Sequence, residues 1–345
     1  MNRAARFCVR LAGLTGLCLV TAVPMVAPAA SVGLALPRDG WISWQIQAVA
    51  DAPDWCCWGD GRHRGDSGRQ ACPLDGKDYG YGRRGQETTD AVRLYARFAD
   101  GKLERLRTLA ASCPVTALSA IGHRDNITVD ESVRWLVSLV APGAAADSSR
   151  GRGLGGDAMA ALAMHRGNTA RDALAAIARK DVQAKNRRDA LFWLTQVRGN
   201  EGAEIVAPIM FDDADAKVRE HAAFAISQSA WPNAVAHLIR QGNSDREKRV
   251  RSQAWFWLAQ TKSAETETAI RAALKNEPER QVREQGIFAL SQLPNDRAAR
   301  ALIAVAEDKS LPREERKKAV FWLGQMTSDS AVTYLDRLLT ATAPK

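Results

Sequence analysis

The second half of the chain repeats one pattern of hydrophobic and polar positions five times. A phenylalanine is followed two positions later by leucine or isoleucine and four positions later by glutamine, and the intervals between successive copies are almost constant. A small residue stands two positions before each phenylalanine, and an arginine stands five positions before it. In four copies an acidic residue lies six positions before that arginine. These registers stay in step, which indicates an internal repeat.

A second apolar stretch separates successive copies, at residues 203–211, 235–239, 270–274 and 302–306. The spacing therefore predicts two short helices in each unit. One amphipathic pair cannot bury its own apolar face, so the units must stack. We expect a mainly α fold, a right-handed α-solenoid over residues 126–345, with about six helix pairs and a terminal helix. Residues 157–164 fit a degenerate early copy, with residues 130–140 as its partner helix.

The recurring order Val-Arg-x-x-Ala-x-x-Ala/Trp-Leu-x-Gln resembles HEAT repeats. It is most similar to the short bacterial type that also occurs in phycobilisome-lyase-like proteins, and the resemblance covers about residues 130–340. It implies a scaffold that binds partners and no particular reaction. Some members of this group are lyases or DNA glycosylases, but the chain carries no motif for either chemistry.

The phenylalanine and glutamine of each unit lie on one flank of the second helix. At 100° per residue, Phe224 points about 140° away from the core direction that Val218 and Ala222 share. In one interpretation the rings pack on the neighbouring unit and each glutamine bonds its counterpart. In the other, the stripe lines a concave groove that binds an extended protein or peptide partner. The candidate binding residues are Phe192, Gln196, Phe224, Gln228, Phe256, Gln260, Phe288, Gln292, Phe321 and Gln325.

Two further registers have structural interpretations. The position after each phenylalanine alternates between tryptophan and alanine, and we expect each large ring to fill the space that an alanine leaves in the next unit. Each acidic residue lies near the start of a second helix. We expect it to cap backbone N–H groups there and to pair with an arginine of the same or the next unit.

The segment at residues 1–30 predicts a secretory signal peptide. Arg3, Arg6 and Arg10 precede the apolar residues 11–23, and the small-residue exit Ala27-Pro28-Ala29 follows. We therefore expect the mature protein in the periplasm or secreted, without stable membrane insertion. Four cysteines would remain in that oxidising space.

The region at residues 31–125 reads as a small β-rich module. Residues 41–49 and 92–98 alternate apolar with polar side chains, and Asp100-Gly101 predicts a hairpin to residues 102–109. Residues 59–85 are rich in Gly, Arg and Asp and read as a surface loop. We expect Cys56, Cys57, Cys72 and Cys113 to form two disulfides, either 56–72 with 57–113 or 57–72 with 56–113. Disulfides are favoured over a zinc site with His63, so we expect no metal and no cofactor.

Net charge and the absence of catalytic motifs help to choose between a nucleic-acid-binding protein, an enzyme and an interaction scaffold. The chain carries a net charge of +9, of which three charges fall within positions 1–30 and six after position 150. This mild excess permits nucleic-acid binding, but export and the lack of aromatic–basic interleaving argue against it. No nucleophile, zinc-protease or phosphate-loop motif is present, although an enzyme with scattered acidic residues stays an alternative. We therefore expect a non-catalytic interaction scaffold.

Overall fold

The structure is a computed structural model that describes residue 34 and residues 36–57, 71–76, 81–140 and 153–342. The expected signal peptide and His63 lie outside these residues. The chain from Leu34 onward forms one compact unit. It is mainly helical, and a small β-stranded region precedes the first helix.

The β-stranded region is built around a four-stranded sheet. The strands are β1 (Gly40–Gln47), β2 (Pro53–Cys57), β3 (Cys72–Pro73), β4 (Tyr81–Thr88), β5 (Ala91–Ala99), β6 (Lys102–Ala110), β7 (Val115–Thr116) and β8 (Ile121–His123). The main sheet has the order β6-β5-β1-β8, while β2 pairs with β4 and β3 pairs with β7. The surface-loop interpretation of residues 59–85 is therefore partly wrong. Strand β3 and the start of β4 fall within this segment, and their partners β7 and β2 lie outside it.

The hairpin that Asp100-Gly101 predicts is confirmed. Strands β5 and β6 pair antiparallel and end at the pair Ala99 and Lys102. Asp100 and Gly101 both adopt positive φ, at 50° and 73°. Two such residues suit a tight turn whose twist matches that of the flanking strands.

One face of the main sheet packs on the first helices. The apolar alternation in β1 places Ile42, Trp44 and Ile46 in the same buried core as the helices that follow. The side chains between them point to the opposite face. The expected boundary at residue 125 falls between β8 and the first helix, and hydrophobic packing continues across it.

A buried polar chain ties the sheet to the helices. The indole Nε1 of Trp44 donates to Ser132 Oγ at 2.9 Å, and Ser132 Oγ lies 2.8 Å from His165 Nε2. His165 Nδ1 lies 2.8 Å from the Ala161 carbonyl and can only donate to it. In the neutral ring, Nε2 then accepts from the serine hydroxyl. Burial lowers the pKa of His165 to about 4, which favours this neutral form.

Residues 72–74 lie against the opposite face of the sheet, where Cys72 and Leu74 form a second apolar cluster with Trp41, Tyr95 and Leu109. Cys56 and Cys113 form a disulfide pair, and Cys72 is also disulfide-bonded. Of the two expected pairings, the observed bridge fits the one with 56–113, and the bond from Cys57 to Cys72 stays a prediction. Burial raises the pKa of Asp75, but hydrogen bonds from the Leu118 N–H, the Trp41 indole and Arg97 outweigh it, so the pKa lies below its usual value.

Thirteen helices follow in the described residues. They are α1 (Val129–Val140), α2 (Gly153–Met164), α3 (Asn168–Lys180), α4 (Ala184–Val197), α5 (Gly199–Asp212), α6 (Ala216–Ser227), α7 (Ala234–Ser244), α8 (Lys248–Gln260), α9 (Thr266–Asn276), α10 (Arg280–Ser291), α11 (Asn295–Glu307), α12 (Arg313–Leu323) and α13 (Asp329–Thr342). The predicted two helices per repeat are confirmed. Within the described chain, no helix is both long and apolar enough to span a bilayer.

A ladder of arginines and carboxylates runs through the repeats. Four of the five arginines bond a carboxylate of the following unit, so for them the expected pairing with the same or the next unit resolves to the next. In three pairs this carboxylate is the acidic residue of the register, whereas Arg283 bonds Glu315 on α12. The fifth, Arg316, donates to the backbone carbonyls of Lys309 and Leu311. Each of the first four also donates through Nη1 to the backbone carbonyl of the acidic residue six positions before it. The pairs are Arg187 with Asp213, Arg219 with Asp245, Arg251 with Glu277, and Arg283 with Glu315.

The carboxylates of the ladder also cap helices. Asp213 Oδ1 accepts from the backbone N–H of Asp215, and Asp245 Oδ1 accepts from that of Glu247, both at 2.8 Å. These N–H groups lie at the start of a second helix, where they lack partners within the helix. One side chain therefore joins two units and starts a helix.

Candidate functional site

The second helices of the units form one continuous layer. Helices α4, α6, α8, α10 and α12 pack directly against one another in order, and they do so more extensively than α3, α5 and α7 do. The candidate phenylalanines and glutamines all belong to this layer or to the residues that directly follow its helices.

The five glutamines are all exposed. Gln196, Gln228, Gln260, Gln292 and Gln325 lie at or just beyond the ends of the second helices and face solvent. The first interpretation expected each glutamine to bond its counterpart in the next unit, but none of the described hydrogen bonds joins two of these glutamines. Gln228 and Gln292 donate instead to the adjacent serine of their own unit.

Two of the glutamine amides have a fixed orientation. Ser227 Oγ donates its single proton to the Phe224 carbonyl at 2.7 Å, so it can only accept from Gln228 Nε2 at 3.2 Å. Ser291 does the same for Gln292. The amide N–H₂ groups therefore turn towards the protein, and the Oε1 atoms of these glutamines stay available as acceptors.

The phenylalanines form part of a line of aromatic rings. Phe192 and Phe224 stack with centroids 6.4 Å apart and planes within 5°, and Phe256 and Phe288 stack at 6.2 Å within 3°. Four of the five phenylalanines are half-buried, and Phe321 is 52% exposed. The rings thus pack on neighbouring units, as the first interpretation expected, while their outer edges stay accessible.

Tryptophans bridge the stacked pairs. Trp257 lies 4.8 Å from Phe224 of the preceding unit, and Trp322 lies 5.2 Å from Phe288. Trp257 also contacts Phe256, so it connects the first stacked phenylalanine pair to the second, and Trp322 connects the second pair to Phe321. At the other end of the aromatic line, the ring centroids of Trp55 in β2 and Trp193 are 5.6 Å apart. The β-stranded region therefore packs against Trp193.

Charged side chains of the same helices form ion pairs. Lys185 bonds Asp189 at 2.7 Å, and Arg249 bonds Glu220 at 3.0 Å. His221 contacts the Phe224 ring at 5.4 Å, and burial lowers the pKa of its imidazole. The ten residues of the stripe are themselves uncharged and combine amides with aromatic rings. Lys318 Nζ lies 5.5 Å from the ring centroid of Phe321, so a cation lies at one end of the stripe.

The serine and histidine side chains that lie within hydrogen-bond distance of one another are outside the stripe. Ser132 and His165 are fully buried, and Ser43, which lies 2.8 Å from His123 Nδ1, is buried too. In the part of the chain that the structure describes, no group of three or more His, Cys, Asp or Glu side chains could hold a metal ion.

Comparisons with known proteins add little. No protein-family model matches the chain, and no curated protein matches it. Among solved structures, human deoxyhypusine hydroxylase in complex with glycerol is similar at a TM-score of 0.26 and 15% identity. That match covers 63% of this chain and 91% of the hydroxylase. At this TM-score the similarity supports no inference about the site.

The geometry predicts that Phe224 and Gln228 contribute very differently to stability. Phe224→Ala removes a half-buried ring that contacts Phe192 and Trp257, so we expect the free energy of unfolding to fall by about 2 kcal/mol. Gln228→Ala changes an exposed side chain and should shift it by less than about 0.5 kcal/mol. Denaturant unfolding of both variants measures this difference. Equal effects would show that the ring is not part of the packing.

Proposed function

We propose that the protein is a non-catalytic interaction scaffold that binds an extended segment of a partner protein along the Phe/Gln stripe. The stripe consists of five phenylalanines and five glutamines. They lie in helices α4, α6, α8, α10 and α12 or directly after these helices. In this proposal the helices form a right-handed, HEAT-like solenoid with the stripe on its concave face. The exposure of all five glutamines beside a continuous line of ring edges carries the proposal.

The chemistry of the stripe suits a polypeptide backbone. A glutamine amide can donate to a peptide carbonyl and accept from a peptide N–H, so it pairs with a main chain of any sequence. Gln228 and Gln292 offer Oε1 atoms that are already oriented, which reduces the entropy lost on binding. The aromatic edges provide apolar contacts for side chains that alternate along an extended chain. The neutral character of the stripe favours uncharged partner segments.

We also propose that this scaffold acts outside the cytoplasm. The basic and apolar amino-terminal segment supports export, and the Cys56–Cys113 pair suits an oxidising space. Amino-terminal sequencing of the protein from its own cell tests export. A start near position 30 supports it, and recovery of intact Met1 in the cytosol contradicts it.

The binding proposal predicts that the exposed glutamine amides determine the affinity for a peptide, and that residues on the outer helices do not. A displayed library of unstructured peptides is selected against the mature chain, and the enriched peptides are measured on variants. Each lost hydrogen bond is worth about 1 kcal/mol, so Gln228→Ala with Gln260→Ala should raise Kd about 30-fold. The double variant should unfold like the parent.

The matched control changes two exposed residues of the outer helices, Glu204→Ala and Arg271→Ala. We expect this pair to leave Kd unchanged. The proposal is wrong if no peptide is enriched, or if the outer pair weakens binding as strongly as the glutamine pair does.

A further inference from the structure

The face of the main sheet that is turned away from the helices carries polar side chains on three neighbouring strands. Ser43 of β1 lies opposite Tyr95 of β5 on one side and opposite His123 of β8 on the other. Two positions further along β1, Gln45 lies opposite Arg93. Residues that are directly opposite, or two apart on one strand, point to the same face. Ser43 and Tyr95 are buried and form the floor of this cluster, whereas Gln45 and His123 are exposed.

Arg93 is held in the cluster by neutral partners. Its Nη2 donates to Gln45 Oε1 at 2.9 Å. Its Nη1 lies 3.5 Å from Ser43 Oγ and 3.4 Å from His123 Nδ1. A guanidinium has five N–H groups, and these three contacts leave at least two of them for a further acceptor. The side chain is therefore positioned, yet part of its donor capacity is unused.

The charge of Arg93 has no counter-ion among the described residues. Arg97, two positions further along the same strand and on the same face, forms an ion pair with Asp75. The acidic residues nearest to the cluster in sequence are Asp90 and Asp125, which are both exposed, and neither is among the described contacts of Arg93. A guanidinium that neutral groups hold in place is able to form charge-assisted hydrogen bonds with an anion from outside.

His123 supplies a second donor beside that charge. Ser43 Oγ lies 2.8 Å from His123 Nδ1. Arg93 Nη1 also faces Nδ1 and can only donate, so Nδ1 acts as the acceptor. In the neutral ring the proton is then on Nε2. The ring is exposed, and none of the described hydrogen bonds uses Nε2, so this N–H group is available to a ligand.

We infer that this cluster binds a carboxylate, with Arg93 as the charged partner and the Nε2–H of His123 as a second donor. The planar guanidinium matches the two oxygens of a carboxylate, and its single charge balances that of one carboxylate. A phosphate monoester carries nearly two negative charges at neutral pH, and the cluster itself holds one cation. Ser43 and Gln45 position the arginine and do not contribute charge.

The surroundings of the cluster favour an anion. Arg124 follows His123 in the chain and is exposed, so it adds positive potential without a described side-chain contact to the cluster. The Phe/Gln stripe belongs to the helical layer, whereas this cluster lies on the sheet face turned away from the helices. The carboxylate site is therefore independent of the proposed binding of a partner segment along the stripe.

Backbone amide NMR shifts of the mature chain, followed while acetate replaces chloride at constant ionic strength, test this inference. We expect saturable shifts at Ser43, Arg93 and His123, with a Kd in the millimolar range for a small ligand at a solvent-exposed site. Arg93→Gln should raise this Kd at least tenfold. The matched control, Arg300→Gln, removes an exposed charge on α11 and should leave Kd unchanged. Circular dichroism confirms that both variants fold.

A second variant and a second probe separate the alternatives. His123→Ala changes an exposed side chain and should weaken acetate binding severalfold while leaving the fold intact. A short uncharged peptide with a free carboxyl terminus is then compared with acetate and with the same peptide amidated. Tighter binding of the free peptide assigns the site to the end of a protein chain, and affinity equal to that of acetate assigns it to small carboxylates.

Four results would each overturn the carboxylate site. They are the absence of saturable shifts in these strands, equal effects of Arg93→Gln and Arg300→Gln, undiminished binding of the amidated peptide, and tighter binding of inorganic phosphate than of acetate. None of these results depends on the outcome of the peptide selection against the stripe.

Discussion

Four pairs of an arginine and a buried carboxylate link successive repeats, and the pair of Arg219 and Asp245 is the most deeply buried. Arg219 is fully buried, and its Nε and Nη2 atoms donate to both carboxylate oxygens of Asp245 at 2.8 and 2.9 Å. Its Nη1 donates to the backbone carbonyls of Asp213 and Ala214. Burying such a charge is costly unless every polar atom is paired. The hydrogen bonds to Asp245 raise the pKa of Arg219, so the pair stays ionised.

The same arrangement repeats, so the units share one register. Burial would raise the pKa of Glu277, but the hydrogen bond from Arg251 and the N–H of Glu279 hold it below its usual value. The ladder fixes the start of each second helix and the distance to the next. That spacing brings the aromatic rings of neighbouring units into contact, and it sets the glutamines in line. The exposed stripe and the ladder therefore share one register along the stack.

Much of this could be predicted from the sequence because the repeat samples each position five times. The arginine and the acidic residue recur in step, and that periodicity predicted their pairing. The burial of the phenylalanines could not be read from one helix, because rings of neighbouring units contact four of the five phenylalanines. The hydrogen bonds from Trp44 through Ser132 to His165 join residues that are distant in the chain. These residues belong to no repeating pattern, so the sequence did not predict their contact.

The packing of Trp255 against Gly242 occurs in one unit only, so the repeat could not predict it. Trp255 is buried beside Gly242, where a Cβ atom would lie 2.5 Å from the indole ring. Neither residue belongs to the repeating pattern, and their match is visible only when the two helices are packed. The candidate stripe, in contrast, consists of residues that the sequence singled out. The structure adds which of their atoms are accessible.

A double-mutant cycle on Arg219 and Asp245 tests the central claim most directly. The single variants Arg219→Met and Asp245→Asn and the double variant are compared by denaturant unfolding, beside the same cycle on the exposed pair Arg249 and Glu220. If the buried ladder holds the units in register, the coupling energy of the buried pair should be about 3 kcal/mol, against less than about 1 kcal/mol for the exposed pair. Equal coupling energies for the two pairs would contradict the account.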